Sequence, residues 1–271
     1  MSFRSLLFVP GARPERFEKA ATSGADCVCI DLEDAVALAD KTTARGNVVS
    51  YFEGPIPETA IGVRINALDD PLSRDDIASL AALKTPPAFV MIPKLEKAEQ
   101  IHQVRAALGD VCPIWSLVET PQGLLNAPDI AEAIGEQGGL IFGGVDYAAA
   151  IGADRTWDAF LYARGCLVNA AAIGGCQLLD VPFLDVKDSK GLEAETRRVK
   201  MIGFTGKACI HPAQTEIVNK VFSPTPEEVV EAKRIINVFQ AAKGGVALLD
   251  GKLIEKPVIK SAQRILRLDG E

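Results

Sequence analysis

Short, nearly continuous apolar runs alternate with helical patterns through most of the chain. The runs Ser5–Val9, Cys27–Leu32, Ile61–Asn66, Phe89–Pro93, Ile114–Glu119, Leu140–Val145, Gln177–Val181 and Ala208–His211 predict strands. Strands covered on both faces need apolar residues at every position, and these runs have them. Eight such strands with helices between them favour a closed (β/α)8 TIM barrel over an open doubly wound sheet. The glycine fingerprint GxGxxG of the open alternative is missing after the first strand. Pro14 and Glu15 open the first helix, and Ser73 with Asp76 reads as a cap. Thr225-Pro226-Glu227-Glu228 is a capping box with proline at the first helical position.

The last of these helices runs to about Ala242 and lies beyond the eighth strand. Val246–Leu249, Asp250-Gly251 and Lys252–Ile254 then read as a hairpin with an Asp-Gly turn. An amphipathic helix, Val258–Leu268, follows. The expected organisation is a barrel over residues 1–223 and a helix–hairpin–helix extension over residues 224–271. The extension packs on its own barrel or serves as a lid over a neighbouring subunit.

Composition narrows the function classes. The 48% apolar content supplies a full core. The net charge is −7, with both signs spread along the chain, which argues against a nucleic-acid or anionic-membrane partner. No apolar run approaches the ~20 residues of a membrane span. Met1-Ser2-Phe3-Arg4 leads straight into a strand without a signal-peptide pattern, so a cytoplasmic location is expected. The six cysteines have neither framework nor zinc-site spacing and read as reduced core thiols. Cys27 and Cys29 share one strand face.

In a barrel of this kind, polar residues at the carboxyl ends of strands point into the site. Glu119 and Asp146 end adjacent strands. Two hard oxygen ligands without imidazole or thiolate suit Mg2+, although each carboxylate also suits a helix N-cap. Arg64 ends an apolar strand, and its planar fork suits a substrate carboxylate or a developing enolate oxygen. A salt bridge to Asp31 or Glu33 is the other reading. Asp31, Glu33 and Asp34 form an acidic cluster able to hold a metal-bound water or to fix Arg64 or Lys94. Gly144, with Gly143, fits a place where a ligand nears the backbone. Arg13 and Arg16 flank a helix start after the first strand, which suits a phosphate. His102 and His211 carry little weight.

These stretches together resemble one family. RSLLFVPGARPERF, GADCVCIDLEDAV, VRIN, MIPK, VETPQG, FGGVDYAAAIGA, GKACIHPAQ, PTPEEVVEAKRI and DGKLIEKPV resemble the CitE-like (citrate lyase β-subunit-like) branch of the HpcH/HpaI aldolase family, over almost the whole chain. The resemblance implies a β/α barrel, Mg2+ on Glu119 and Asp146, and Arg64 beside the substrate carbonyl and carboxylate. It implies that the region Pro10–Arg16, with Arg13, helps bind a CoA-type thioester. It also implies a homotrimer, or a multiple of it, whose tail covers a neighbour's site. Two departures stand out. The aldolase-type histidine after the second strand is replaced by Leu32-Glu33-Asp34, and the tail aspartate of many CitE-like lyases is replaced by Glu255.

The expected activity is Mg2+-dependent carbon–carbon cleavage of a carboxylated 3-hydroxyacyl-CoA, such as malyl-CoA or citramalyl-CoA, to an acyl-CoA and a small 2-keto acid. Glu255 is the candidate proton carrier and Arg64 the stabiliser of anionic oxygens; Asp31 and Glu33 join them as catalytic candidates, and Lys94 and Gly144 join Pro10, Arg13, Arg16 and Arg64 as candidates for binding the substrate or CoA. The alternatives are a β subunit of a citrate lyase complex, a CoA thioesterase on the same metal site, and a non-catalytic binding protein.

Overall fold

The computed structural model describes residues 3–109, 112–242 and 247–269. Its strands are β1 (Ser5–Pro10), β2 (Cys27–Asp31), β3 (Ala60–Arg64), β4 (Val90–Ile92), β5 (Ile114–Val118), β6 (Gly139–Phe142), β7 (Gln177–Asp180) and β8 (Gly206–Cys209). Each pairs in parallel with the next, and β8 returns to β1, so the barrel closes. All eight expected strands are present. Several stop short of the apolar run that signals them: β6 ends at Phe142 rather than Val145, and β8 at Cys209 rather than His211. Gly144 and Val145 leave the ladder because they open the helix Gly144–Ile151, and Ile210 and His211 because their N–H groups donate to Gln214 Oε1.

Alternation along the strands sends Leu6, Cys27, Cys29, Met91, Leu117, Ile141 and Leu179 into one cluster with Phe89 and Trp115. The rings of Phe3, Phe89 and Trp115 pack there with centroids 5.4–6.3 Å apart, Phe3 stacked on Trp115 and Phe89 tilted against both. Fully burying a side chain of this kind contributes roughly 2–3 kcal/mol, so the interior is a packed core and not a pore. All six cysteines are free. Burial pushes the thiols of Cys27, Cys29 and Cys209 up, which keeps them protonated and inert.

Contacts divide the chain into two units, Phe3–Asn219 and Lys220–Glu271. In the second, Thr225 caps the helix Pro226–Ala241, and Glu228 closes the expected capping box. Strands β9 (Ala247–Leu249) and β10 (Lys252–Ile254) form the hairpin. Asp250 and Gly251 both take positive φ, 50° and 78°, as a tight two-residue hairpin turn requires. Val246, the expected first residue of the hairpin, lies outside the described residues. The closing helix is Lys256–Asp269, starting earlier than expected, with Pro257 in its first turn where a missing N–H is harmless. Ala247, Ile254 and Ile259 bury against Ile235, Val238 and Phe239.

One expected cap is not a cap. Ser73 donates its hydroxyl to the Asp70 carbonyl, and Asp76 turns inward to accept from Asn66 and Arg45. A buried backbone N–H at Asn66 has a stronger claim on that carboxylate than the helix start has.

Candidate active site

The register of β2 against β3 sets Asp31 beside Arg64 at the carboxyl end of the barrel. Arg64 donates from Nε to Asp31 Oδ1 at 2.7 Å and from Nη2 to Asp31 Oδ2 at 2.5 Å. Asp31 also accepts from the backbone N–H groups of Glu33 and Ala35. Four hydrogen bonds occupy this buried carboxylate, so it orients Arg64 and has no free lone pair suited to proton transfer. Arg64 Nη1 lies 2.9 Å from Glu33 Oε2, and Glu33 Oε1 accepts from Lys94 Nζ at 2.8 Å. Burial opposes the Arg64 charge, but Asp31 and Glu33 overcome it and hold the guanidinium above its ordinary value. Burial likewise raises the Glu33 carboxyl, against the pull of Arg64 and Lys94.

Glu119 follows β5 directly. Thr120, not Glu119, caps the next helix by accepting from the Gly123 N–H. Glu119 Oε1 instead accepts from the Lys94 backbone N–H at 2.9 Å. Lys94 reaches that position with φ at 51°, a left-handed conformation that disfavours any residue with a Cβ. Glu119 Oε2 is buried and has no hydrogen-bond partner. Burial, then the charges of Glu33 and Asp146, push the Glu119 carboxyl up to about 8. Asp146 stands exposed in the first turn of the helix Gly144–Ile151, which has no side-chain cap. Neither carboxylate is therefore a helix cap.

Both glycines before Asp146 are tightly packed, and Gly143 also lines the cavity. A Cβ on Gly143 would come within 2.4 Å of Glu119 Cβ, and one on Gly144 within about 3 Å of the Phe142 and Phe160 rings. Gly144 is buried and does not line the cavity; close approach of protein atoms, not of a ligand, accounts for the glycine there.

Asp31, Arg64, Glu119 and Asp146 line one cavity of about 350 Å3, and Asp34 joins them. Glu33 and Lys94 do not line it; they face an adjoining groove with Lys41 and Asn66. Pro10 and Arg16 line a third groove of about 480 Å3 with Lys19 and His211. Arg13 is on the surface, paired with Glu15. His211 is exposed, its Nδ1 accepting from the Ala213 N–H. Glu255 belongs to the second unit and is exposed there. Among the described residues no three His, Cys, Asp or Glu side chains gather as a metal site, and no helix is long and apolar enough to cross a membrane.

A second charged network went unread in the sequence. Arg164, in the helix Trp157–Gly174, grips Asp180 at the end of β7, and Lys207 of β8 donates to Asp180, Glu195 and the Val181 carbonyl. Asp180 and Lys207 interrupt apolar runs just as Arg64 does, and that is the signal that would have found them.

Comparison with known proteins agrees with this architecture. A family model described as HpcH/HpaI aldolase/citrate lyase matches residues 4–212. The chain is 37% identical to a (3S)-malyl-CoA thioesterase of Cereibacter sphaeroides, over 97% of this chain and 93% of the relative. It is 33% identical to the mitochondrial citramalyl-CoA lyase of Homo sapiens, over 98% and 85%. The crystal structure of the protein CitE from Mycobacterium tuberculosis, in complex with magnesium, acetoacetate and coenzyme A, aligns with a TM-score of 0.82 at 33% identity, covering 100% of this chain and 99% of that one.

Proposed function

Because the chain belongs to the HpcH/HpaI aldolase/citrate lyase family, we propose that it is a Mg2+-dependent carbon–carbon lyase. Its substrate is a carboxylated 3-hydroxyacyl-CoA of the malyl-CoA or citramalyl-CoA kind, and its products are an acyl-CoA and a 2-keto acid. The observation that carries this reading is Glu119 Oε2, a buried carboxylate oxygen without a partner, in a cavity shared with Asp146 and Arg64. A lone buried carboxylate oxygen is costly unless a cation completes it. Two carboxylates fit Mg2+, which keeps waters and takes substrate oxygens for its remaining positions. Glu119 and Asp146 would hold the ion. When bound, Mg2+ acts as a Lewis acid toward substrate oxygens.

The other residues take these roles. Arg64, its plane fixed by Asp31, borders the cavity and stabilises the anionic oxygen that develops as the carbon–carbon bond breaks. Removing the hydroxyl proton turns the hydroxyl carbon into the keto-acid carbonyl and expels the thioester enolate. That enolate accepts a proton to become the shorter acyl-CoA. Glu255 carries the proton, and the extension holding it reaches the barrel of a neighbouring copy in a homotrimer. Glu33 and Lys94 stay outside the cavity and brace Arg64 and Glu119. The groove of Pro10 and Arg16 carries Lys19 and His211 and no acid, which suits the phosphates of CoA. Six free thiols suit a reducing cytoplasm.

The test is a panel of hydroxyacyl-CoA thioesters with Mg2+ and mass detection of every product. A shorter acyl-CoA with a 2-keto acid is expected. Release of the intact hydroxy acid with free CoA would establish the thioesterase instead, the reading that the 37% identity to a (3S)-malyl-CoA thioesterase supports. Glu255→Gln should lower turnover by about 100-fold or more while thioester binding persists. Mixing that variant with Arg64→Ala subunits should restore partial activity if the tail works across subunits.

A further inference from the structure

Gln214, at the end of the stretch GKACIHPAQ, has no role in the chemistry proposed above, yet it is only 2% exposed. It sits in the first turn of the helix Pro212–Phe222. Its side-chain oxygen accepts from the Ile210 N–H at 2.9 Å and from the His211 N–H at 3.3 Å. Its side-chain nitrogen donates to the Phe183 carbonyl at 2.7 Å, in the loop after β7. A glutamine that only caps its helix needs the bonds to the residues just before it. The bond to Phe183 crosses to a different loop. That far end is firm, because buried Lys207 donates to the nearby Val181 carbonyl at 2.7 Å.

Gln214 thereby fixes a residue at a junction. Phe8 and Ile210 line both the cavity of Glu119, Asp146 and Arg64 and the groove of Pro10, Arg16 and Lys19. The two spaces therefore adjoin at these side chains. Phe8 belongs to β1 and sits in the ladder opposite Cys29, so the barrel sets its place. Ile210 lies just past the end of β8, beyond the ladder. It is 42% exposed, so packing holds its side chain weakly, and the bond from its N–H to Gln214 holds its backbone.

We infer that Gln214 is a positioning residue for the arm of the CoA thioester, acting through Ile210. The inference rests on the reading above, which puts the acyl end in the cavity and the CoA phosphates in the groove. A thioester that uses both must cross the junction, and the apolar stretches of its pantetheine arm bury surface against Phe8 and Ile210. Without the brace, Ile210 is free to leave the junction and that contact is lost. Arg64 and Glu119 are held by other bonds, to Asp31 and to the Lys94 N–H, and stay in place.

Gln214→Met keeps the length of the side chain and removes all three hydrogen bonds. Its KM for malyl-CoA or citramalyl-CoA should rise at least about 5-fold, with kcat changed less than about 2-fold. The same acyl group on N-acetylcysteamine, which lacks most of the arm and the phosphates, should be used by variant and wild type within about 2-fold. Ile210→Ala truncates a half-exposed side chain at little cost to folding and should give the same pattern. The double variant should be no worse than Gln214→Met, because both substitutions remove one contact. Calorimetry reads the same division without turnover: CoA should bind Gln214→Met at least about 5-fold more weakly, and pyruvate with Mg2+ within about 2-fold of wild type. The pyruvate arm also shows that the variant's site is folded. An unchanged KM for the CoA thioester in either single variant, equal losses on both thioesters, or losses that multiply in the double variant each overturn the inference. If the wild type cleaves no thioester, yet Gln214→Met weakens CoA and spares pyruvate, the lyase reading falls and the role of Gln214 stands. If CoA and pyruvate are then weakened alike, both fall.

Discussion

Arg64 and Arg164 grip an aspartate with the same fork, and their surroundings part company from there. Arg64 meets Asp31 at 2.7 and 2.5 Å; Arg164 meets Asp180 at 2.9 and 3.0 Å. Arg164 is wholly buried, with its Cζ 4.6, 5.5 and 5.9 Å from the ring centroids of Trp157, Phe160 and Phe142. Arg64 has one ring, Phe8, at 5.2 Å and borders a cavity. The charges around them differ more than the geometry does. Arg164 and Lys207 are balanced by Asp180 and Glu195. Arg64 and Lys94 face Asp31, Glu33, Asp34, Glu119 and Asp146, a surplus of negative charge. Burial would raise the Asp180 carboxyl, but Lys207 and Arg164 overcome it and hold it below its ordinary value. No cation does the same for Glu119, which rises to about 8. A buried network whose charges balance serves the fold, and one left negative is built to receive something.

The strongest test of that distinction is Arg164→Met, which leaves Asp180 buried with one partner fewer. Stability should fall by about 3–5 kcal/mol, read from urea denaturation. A loss below about 1 kcal/mol would remove the structural half of the comparison. Arg64→Lys keeps the charge and loses the fork. Its kcat/KM should fall about 100-fold while its thermal midpoint moves less than that of Arg164→Met. Unchanged turnover with a large thermal loss would reverse the two roles.

The raised Glu119 carboxyl gives a pH test. Folding lifts this group above its unfolded value near 4.5, so the folded chain binds more protons between that value and about 8. Stability without metal should therefore decline as pH rises through this window, and Glu119→Gln should flatten the slope. Below about 8, Mg2+ should displace a proton on binding, visible as a dependence of the calorimetric heat on the buffer's ionisation enthalpy. A heat independent of buffer would mean that Glu119 is already ionised. The smallest effect belongs to Phe8→Leu, which removes the ring beneath Arg64. About 0.5–1 kcal/mol is expected, a few-fold change in kcat/KM.

Much of this was legible in the sequence. Apolar runs marked the eight strands, and polar residues at their ends marked Arg64, Glu119 and Asp146, because strand ends and cavity coincide in this fold. The helix–hairpin–helix tail was legible from a capping box and an Asp-Gly turn. What escaped depends on distance through space. Arg164 lies mid-helix, and nothing local says that it reaches Asp180. Asp76 looked like part of a cap because its true partner, the Asn66 N–H, lies on another element. The division of Glu33 and Lys94 from the main cavity also escaped, since sequence adjacency to Asp34 says nothing about which way each side chain turns.

The left-handed backbone at Lys94 has a consequence for anyone seeking a hardier version of this protein. Glycine there would relieve a conformation that costs a residue with a Cβ about 1 kcal/mol. A screen that rewards heat tolerance alone would be drawn to such a change. It would discard the ammonium that braces Glu33 and loosen the N–H that holds Glu119. Thermal selection without an activity screen would wear this enzyme away at Lys94, where the backbone is strained and the site depends on it.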